Sequence, residues 1–253
     1  MKTKIIKIFI LLFVLIYVPN IVMAEVIHQE KMIEKAIADN KNDMAEELKD
    51  KYRLFKDLIA SNGSYEDVTS GWLYFDNNND KLMIGSSGAV FCGYTMKKEL
   101  LHKYGYDLIG FGGIFDEDLV DLLTMIKHKK YRKIVFFGGV NDLNIRALYK
   151  CDNIDLKYCI VLHMMLDEAQ NHLMDNQSQV YYIKIKPMTY NRDFDDESFV
   201  KRYNNMAKQI NDNVELFGFK SYDIPFDTVH KYTDHYIHYN NKMVYETMFK
   251  DIG

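Results

Sequence analysis

The sequence predicts an α/β fold, a five-stranded parallel sheet covered by helices on both faces, and three observations lead there. From residue 81 onward, short apolar runs alternate with longer amphipathic segments. A helical pattern separates every pair of runs, as parallel strands joined by right-handed crossovers require. Composition agrees: the 253 residues are 48% hydrophobic and 27% charged, which suits one globular core, and three cysteines (Cys92, Cys151 and Cys159) allow one bridge at most. Burial, not cross-linking, must hold the chain together.

Residues 1–24 follow a separate logic and read as an export signal. Lys2, Lys4 and Lys7 precede an unbroken apolar run over 8–18, and Val22-Met23-Ala24 places cleavage after Ala24. Left uncleaved, the same stretch is nearly long enough to anchor the chain in a membrane, and either way the bulk of the protein is expected outside the cytoplasm, secreted or associated with the cell envelope. Losing three lysines takes the formal charge from −4 to −7. Lys and Arg are also dispersed along the chain, so a nucleic-acid partner is excluded and a neutral substrate fits better.

Residues 25–78 read as a helical lead-in and linker. There is neither Pro nor Gly from 27 to 59, and Met32, Ile33, Ala36 and Ile37 recur at helical spacing. Such a helix is either a spacer or partner helix, or a charged helix lying against the domain. Ser61-Asn62-Gly63-Ser64 breaks it, and a turn-rich stretch over 76–80 leads into the domain assigned to 79–253.

Within that domain the strands are expected at 81–84, 106–111, 133–137, 180–185 and 219–222, and the helices at 95–103, 116–129, 155–176, 198–217 and 240–251. In open parallel sheets, ligands bind beyond the carboxyl ends of the strands, where strand order reverses. The loops there are Gly85-Ser86-Ser87-Gly88-Ala89, Gly110-Phe111-Gly112-Gly113, Gly138-Gly139-Val140-Asn141-Asp142, and a histidine-rich loop over 230–238 before the last helix.

Those loops hold the parts of a serine hydrolase. Ser87 sits in a tight strand-to-helix turn, and a serine hydroxyl becomes nucleophilic only when a base removes its proton, a role open to His238 or His235. Backbone N–H groups at Gly112 or Gly113 and the Asn141 amide are suitable donors to an oxyanion. Each feature also has a plainer reading: a tight βα connection for Ser87, and a helix cap or turn for Asn141-Asp142. His230, His235 and His238 with Asp234 could ligate a metal by residue type, but their spacing matches no zinc pattern.

Taken in order, the blocks resemble the SGNH, or GDSL-type, hydrolase family. Met83-Ile84-Gly85-Ser86-Ser87 is similar to its first block, Gly112-Gly113 to its second, Gly139-Val140-Asn141-Asp142 to its third and the 234–238 segment to its last. The resemblance extends over roughly residues 79–253. It implies a three-layer α/β/α sandwich of flavodoxin-like type and cofactor-free hydrolysis of esters, often acetyl groups on carbohydrates or cell-envelope polymers. It further implies Ser87 as nucleophile and oxyanion donor, Gly112 or Gly113 and Asn141 as further donors, and His238 as general base. Two departures stand out. Ser86 replaces the acidic residue of Gly-Asp-Ser, and His235 occupies the place of the aspartate three residues before the histidine, leaving Asp234 one residue further away as the candidate orienting acid. The implied partner is a small acyl ester or acylated glycan.

Overall fold

A strand covered on both faces has to be apolar along its length, and the central strands are. In β3 (Lys81–Gly85), β4 (Tyr106–Phe111) and β5 (Lys133–Phe137) nearly every residue is buried. The structure, a computed structural model, describes residues 31–39, 64–67, 71–126, 129–172, 179–188, 196–225, 232–233, 238–239 and 242–253, and for 64–67, 232–233 and 238–239 the backbone alone. The export signal at 1–24 lies outside the described residues.

Period-two alternation in these strands divides the core in two. Leu82, Ile84, Ile109, Phe111, Ile134 and Phe136 point to one face, where they meet α3 (Asp116–Met125), α4 (Val140–Leu148), α5 (Leu156–Asn171) and α6 (Glu197–Asn213). Met83, Tyr106, Leu108, Val135 and Phe137 point to the other, against α2 (Ser87–Tyr104) and α7 (Lys242–Ile252). Three layers result, as expected.

The sheet has seven strands in the order β1-β2-β4-β3-β5-β6-β7, with β1 (Ser64–Asp67), β2 (Gly71–Tyr74), β6 (Gln179–Ile183) and β7 (Lys220–Tyr222) completing it. The parallel part, β4-β3-β5-β6-β7, is the five-stranded sheet the sequence predicts. Its order is the 2-1-3-4-5 of flavodoxin-like sheets, with the reversal between β3 and β5. Two antiparallel strands, β1 and β2, extend it beyond β4. They fall in the stretch read as linker: Ser64–Asp67 has no apolar run to mark it, and Gly71–Tyr74 is too short to separate from its turn-rich surroundings. Trp72 pairs with Gly110 and lies over Gly93 of α2, where an added Cβ would stand 2.4 Å from the indole.

Buried ionic groups within the sheet are satisfied, as burial of charge demands. Asp107 accepts from the Asp76 N–H (3.0 Å), Asn79 Nδ2 (3.1 Å), Lys129 Nζ (2.5 Å) and the Tyr131 hydroxyl (2.8 Å). Lys133 Nζ donates to the Ile252 carbonyl. Helix starts carry acidic caps: Asp155 accepts the Tyr158 N–H at 2.6 Å and Asp196 the Ser198 N–H at 2.9 Å. The lead-in contributes α1, a helix over 31–39 that packs Ile33 and Ile37 on Phe115. It lies against the domain.

Candidate active site

The site begins where β3 runs into α2. Ser86 donates its N–H to the Phe137 carbonyl at 3.0 Å, so the turn after β3 is tied to the end of β5 across the reversal point. Only glycine permits this approach: a Cβ on Gly85 would lie 2.2 Å from the Phe137 oxygen, and one on Gly88 would lie 2.6 Å from the Phe137 ring. Ser87 is the first residue of α2 and is partly exposed at the carboxyl edge of the sheet. The helix thus starts eight residues before the expected position, because Gly88 and Gly93 are contact points for packing and not breaks in a helix.

Neighbouring loops bring the other candidates to the same edge. Gly112 and Gly113 form the turn after β4, and Gly113 has φ +81 with open space where a Cβ would be. The strand ends at Phe111, as expected, so of the segment Gly110-Phe111-Gly112-Gly113 the first two residues belong to the strand and the last two form the turn. After β5, Gly139 takes φ +84 and starts α4, a helix that the sequence reading leaves as loop because two glycines and Asn-Asp are weak helix formers. Asn141 therefore lies in the first turn of α4. Its Nδ2 donates to the Ile114 carbonyl at 2.7 Å. A carbonyl can only accept, so the amide nitrogen, not its oxygen, must face Ile114, and one amide hydrogen remains to be directed elsewhere.

Gly113 and Asn141 line one open groove together with Phe115, Ile145, Leu148 and Phe199. Leu148, 63% exposed, adds apolar surface to the rim of this groove. From behind, Phe115 and Ile145 pack against Ile33 and Ile37 of the lead-in helix.

The remaining candidates are described in part or not at all. His238 lies in β9 (His238–Tyr239), which pairs with β8 (Tyr232–Thr233) in a two-stranded ribbon, Thr233 opposite His238, and this ribbon lies against α2, the helix that Ser87 begins. Asp234 and His235 lie outside the described residues. The structure thus brings Ser87, Gly112, Gly113 and Asn141 to one edge and sets the backbone of His238 against the helix that carries Ser87.

No family model and no curated protein matches the chain. Solved structures similar to it include hydrolases. One is a GDSL-like lipase from Bacteroides thetaiotaomicron, 13% identical, covering 69% of this chain and 85% of its own, at TM-score 0.49. Another is an alpha/beta hydrolase from the Lake Arreo metagenome, 13% identical over 67% of this chain and 91% of its own, at TM-score 0.43. A third is an acetylxylan esterase from Geobacillus stearothermophilus, 12% identical over 69% and 94%, at TM-score 0.40.

Sequence reasoning missed a buried polar network beneath these loops. Asp116, 1% exposed, accepts the Gly139 N–H on Oδ1 (2.7 Å) and the Tyr158 hydroxyl on Oδ2 (2.8 Å), with the Tyr182 hydroxyl 3.4 Å away. Asp142 Oδ2 in turn accepts the Asp116 N–H at 2.9 Å. Desolvation raises the pKa of both carboxyls, and the negative charge of Asp116 pushes Asp142 further up. Arg146 lies beside them, 3.6 Å from Asp142 Oδ1 and paired through two nitrogens with Asp155 at 2.7 and 3.2 Å. Burial works against its charge, but Asp155 and Asp142 outweigh that and raise its pKa. The Asp142–Arg146 spacing of four is legible as a helical pair; nothing in the sequence reveals that Asp116 faces both.

Proposed function

We propose that this chain is a serine ester hydrolase, secreted or held at the cell envelope, that removes O-acetyl or similar small acyl groups from a carbohydrate or cell-envelope glycan. The arrangement at the sheet edge supports it: Ser87 heads a helix at the reversal point, and the loops on either side present Gly112-Gly113 and the pinned Asn141 amide.

In this reading Ser87 Oγ attacks the ester carbonyl while His238 takes its proton. The oxyanion is held by the N–H of Ser87, the N–H of Gly112 or Gly113 and the second Asn141 amide hydrogen. His238 returns the proton to the leaving alcohol, and water attacks the acyl-serine by the same route in reverse. Asp234 orients the imidazole. Ser86, where the family resemblance calls for an acid, is 3% exposed, and a serine there avoids burying a charge beside the turn. The groove beside Asn141 offers an apolar wall for the acyl group.

Hydrolysis of p-nitrophenyl acetate by the full chain tests the proposal. Ser87→Ala is expected to lower kcat by several orders of magnitude, and equal activity of variant and parent would overturn it. The altered first and last blocks favour a second reading, in which the fold binds glycan or a protein partner without turnover. A fluorophosphonate probe separates the two, since stoichiometric labelling at Ser87 removes the binding-only reading and no labelling near neutral pH favours it.

A further inference from the structure

The two loops that carry the oxyanion donors are not neighbours in the sheet. β3 lies between β4 and β5, so no ladder hydrogen bond joins the strands from which the loops emerge, and their ends stand two strand spacings apart, about 10 Å. Something other than the sheet must set the distance between Gly112-Gly113 and Asn141, because an oxyanion donor is useful only within a few tenths of an ångström of its position.

We infer that Asp116 is the positioning residue that clamps these loops together. It belongs to the first loop's helix, immediately after Phe115, yet its Oδ1 takes the Gly139 N–H at the start of α4 at 2.7 Å. Its own N–H is taken from the other side by Asp142 Oδ2 at 2.9 Å. With the Asn141 bond to the Ile114 carbonyl, three bonds cross between the loops, and two of them use Asp116. The carboxylate is also held from α5 by Tyr158 and lies within reach of Tyr182 in β6, so besides joining the loops it is referenced to the packed helix and sheet beneath them. Gly138 and Gly139 are shaped around it: a Cβ on Gly138 would lie 2.1 Å from Asp116 Oδ1, and one on Gly139 would lie 2.5 Å from the Tyr182 hydroxyl. Burial favours the neutral form of this carboxyl, and a hydrogen-bond acceptor at Oδ1 survives in either form.

The inference rests on the esterase reading, and its test separates the two. In Asp116→Ala the kcat for p-nitrophenyl acetate is expected to fall at least tenfold, with KM within about twofold of the parent and activity normalised to folded protein. Asp116→Asn keeps an acceptor for the Gly139 N–H and is expected to restore most of kcat. Loss that merely follows the folded fraction, or an Asn variant as impaired as the Ala variant, would overturn it. Should the Ala variant not fold, Asp116→Glu, which keeps the acid but lengthens it by one carbon, is expected to lower kcat in the same way, and unchanged kcat there overturns it. If the parent hydrolyses no ester, the esterase reading fails alone. The clamp is then read by NMR: the Gly139 amide and Asn141 side-chain amide resonances are expected to move together in the Ala or Glu variant, and unmoved resonances overturn it.

Discussion

Asn141 donates its side-chain amide across 2.7 Å to the carbonyl of Ile114, a residue of the loop that also carries Gly112 and Gly113. The bond turns a flexible amide into a fixed one. One amide hydrogen is used within the protein and a second remains on the same nitrogen.

Asn141→Ala removes that hydrogen and one tie between the loops. Loss of a single oxyanion donor typically lowers kcat by roughly a hundred- to a thousandfold. The same drop is expected here, read from initial rates on p-nitrophenyl acetate, and a loss confined to KM would remove Asn141 from the oxyanion site.

Gly139→Ala should cost stability before it costs chemistry. The residue sits at φ +84, where an L side chain is strained, and its Cβ would meet Ile185 and the Tyr182 hydroxyl at 2.5 Å. Strain of this kind costs about 1–3 kcal/mol. Urea unfolding should show a loss near the upper end; an unchanged midpoint would mean that the loop relaxes freely.

Leu148 and Phe199 belong to the apolar groove beside Asn141, so the preference for acyl length should depend on them. A methylene recognised by an apolar pocket is worth on the order of 1–3 kcal/mol. Leu148→Asp and Phe199→Ala are each expected to lower kcat/KM for p-nitrophenyl butyrate about tenfold relative to acetate. Parallel losses on both esters would place the acyl group elsewhere.

The acid pair beneath the loops links stability to pH. Desolvation, followed by the charge of Asp116, holds the folded pKa of Asp142 above its unfolded value. Its contribution to stability is therefore fully present below the ordinary carboxyl range and is lost as pH rises through the raised folded value. Asp142→Asn keeps an oxygen for the Asp116 N–H but does not titrate. Urea unfolding between about pH 4 and pH 8 should show a smaller fall of stability with pH in the variant than in the parent. Identical slopes would show that Asp142 does not titrate in this range.

Much of the architecture was legible because hydrophobic period and burial are local properties. Val135 and Phe137 alternate with Ile134 and Phe136 because the sheet has two covered faces, and that pattern is written in five consecutive residues. The short antiparallel strands were not legible: Ser64–Asp67 earns its place by pairing with Gly71–Tyr74, which a polar tetrapeptide does not announce. Helix α4 was hidden for a related reason, since Gly139 serves as its start only because Tyr158, Tyr182 and Ile185 leave no room for a side chain there.

Taken alone, the order of residues determined the layered fold, the five parallel strands and the gathering of Ser87, Gly112, Gly113 and Asn141 at one edge, because each follows from periodicity and from the geometry of parallel connections; that Ser87 and Asn141 sit in first helical turns and not in loops was not legible. Tertiary structure alone decided how those loops are held at a working distance. Asp116 meets Gly139, Tyr158 and Asp142 from positions 23, 42 and 26 residues away, and a hydrogen bond across such separations depends on the packed positions of whole elements, which no local pattern encodes.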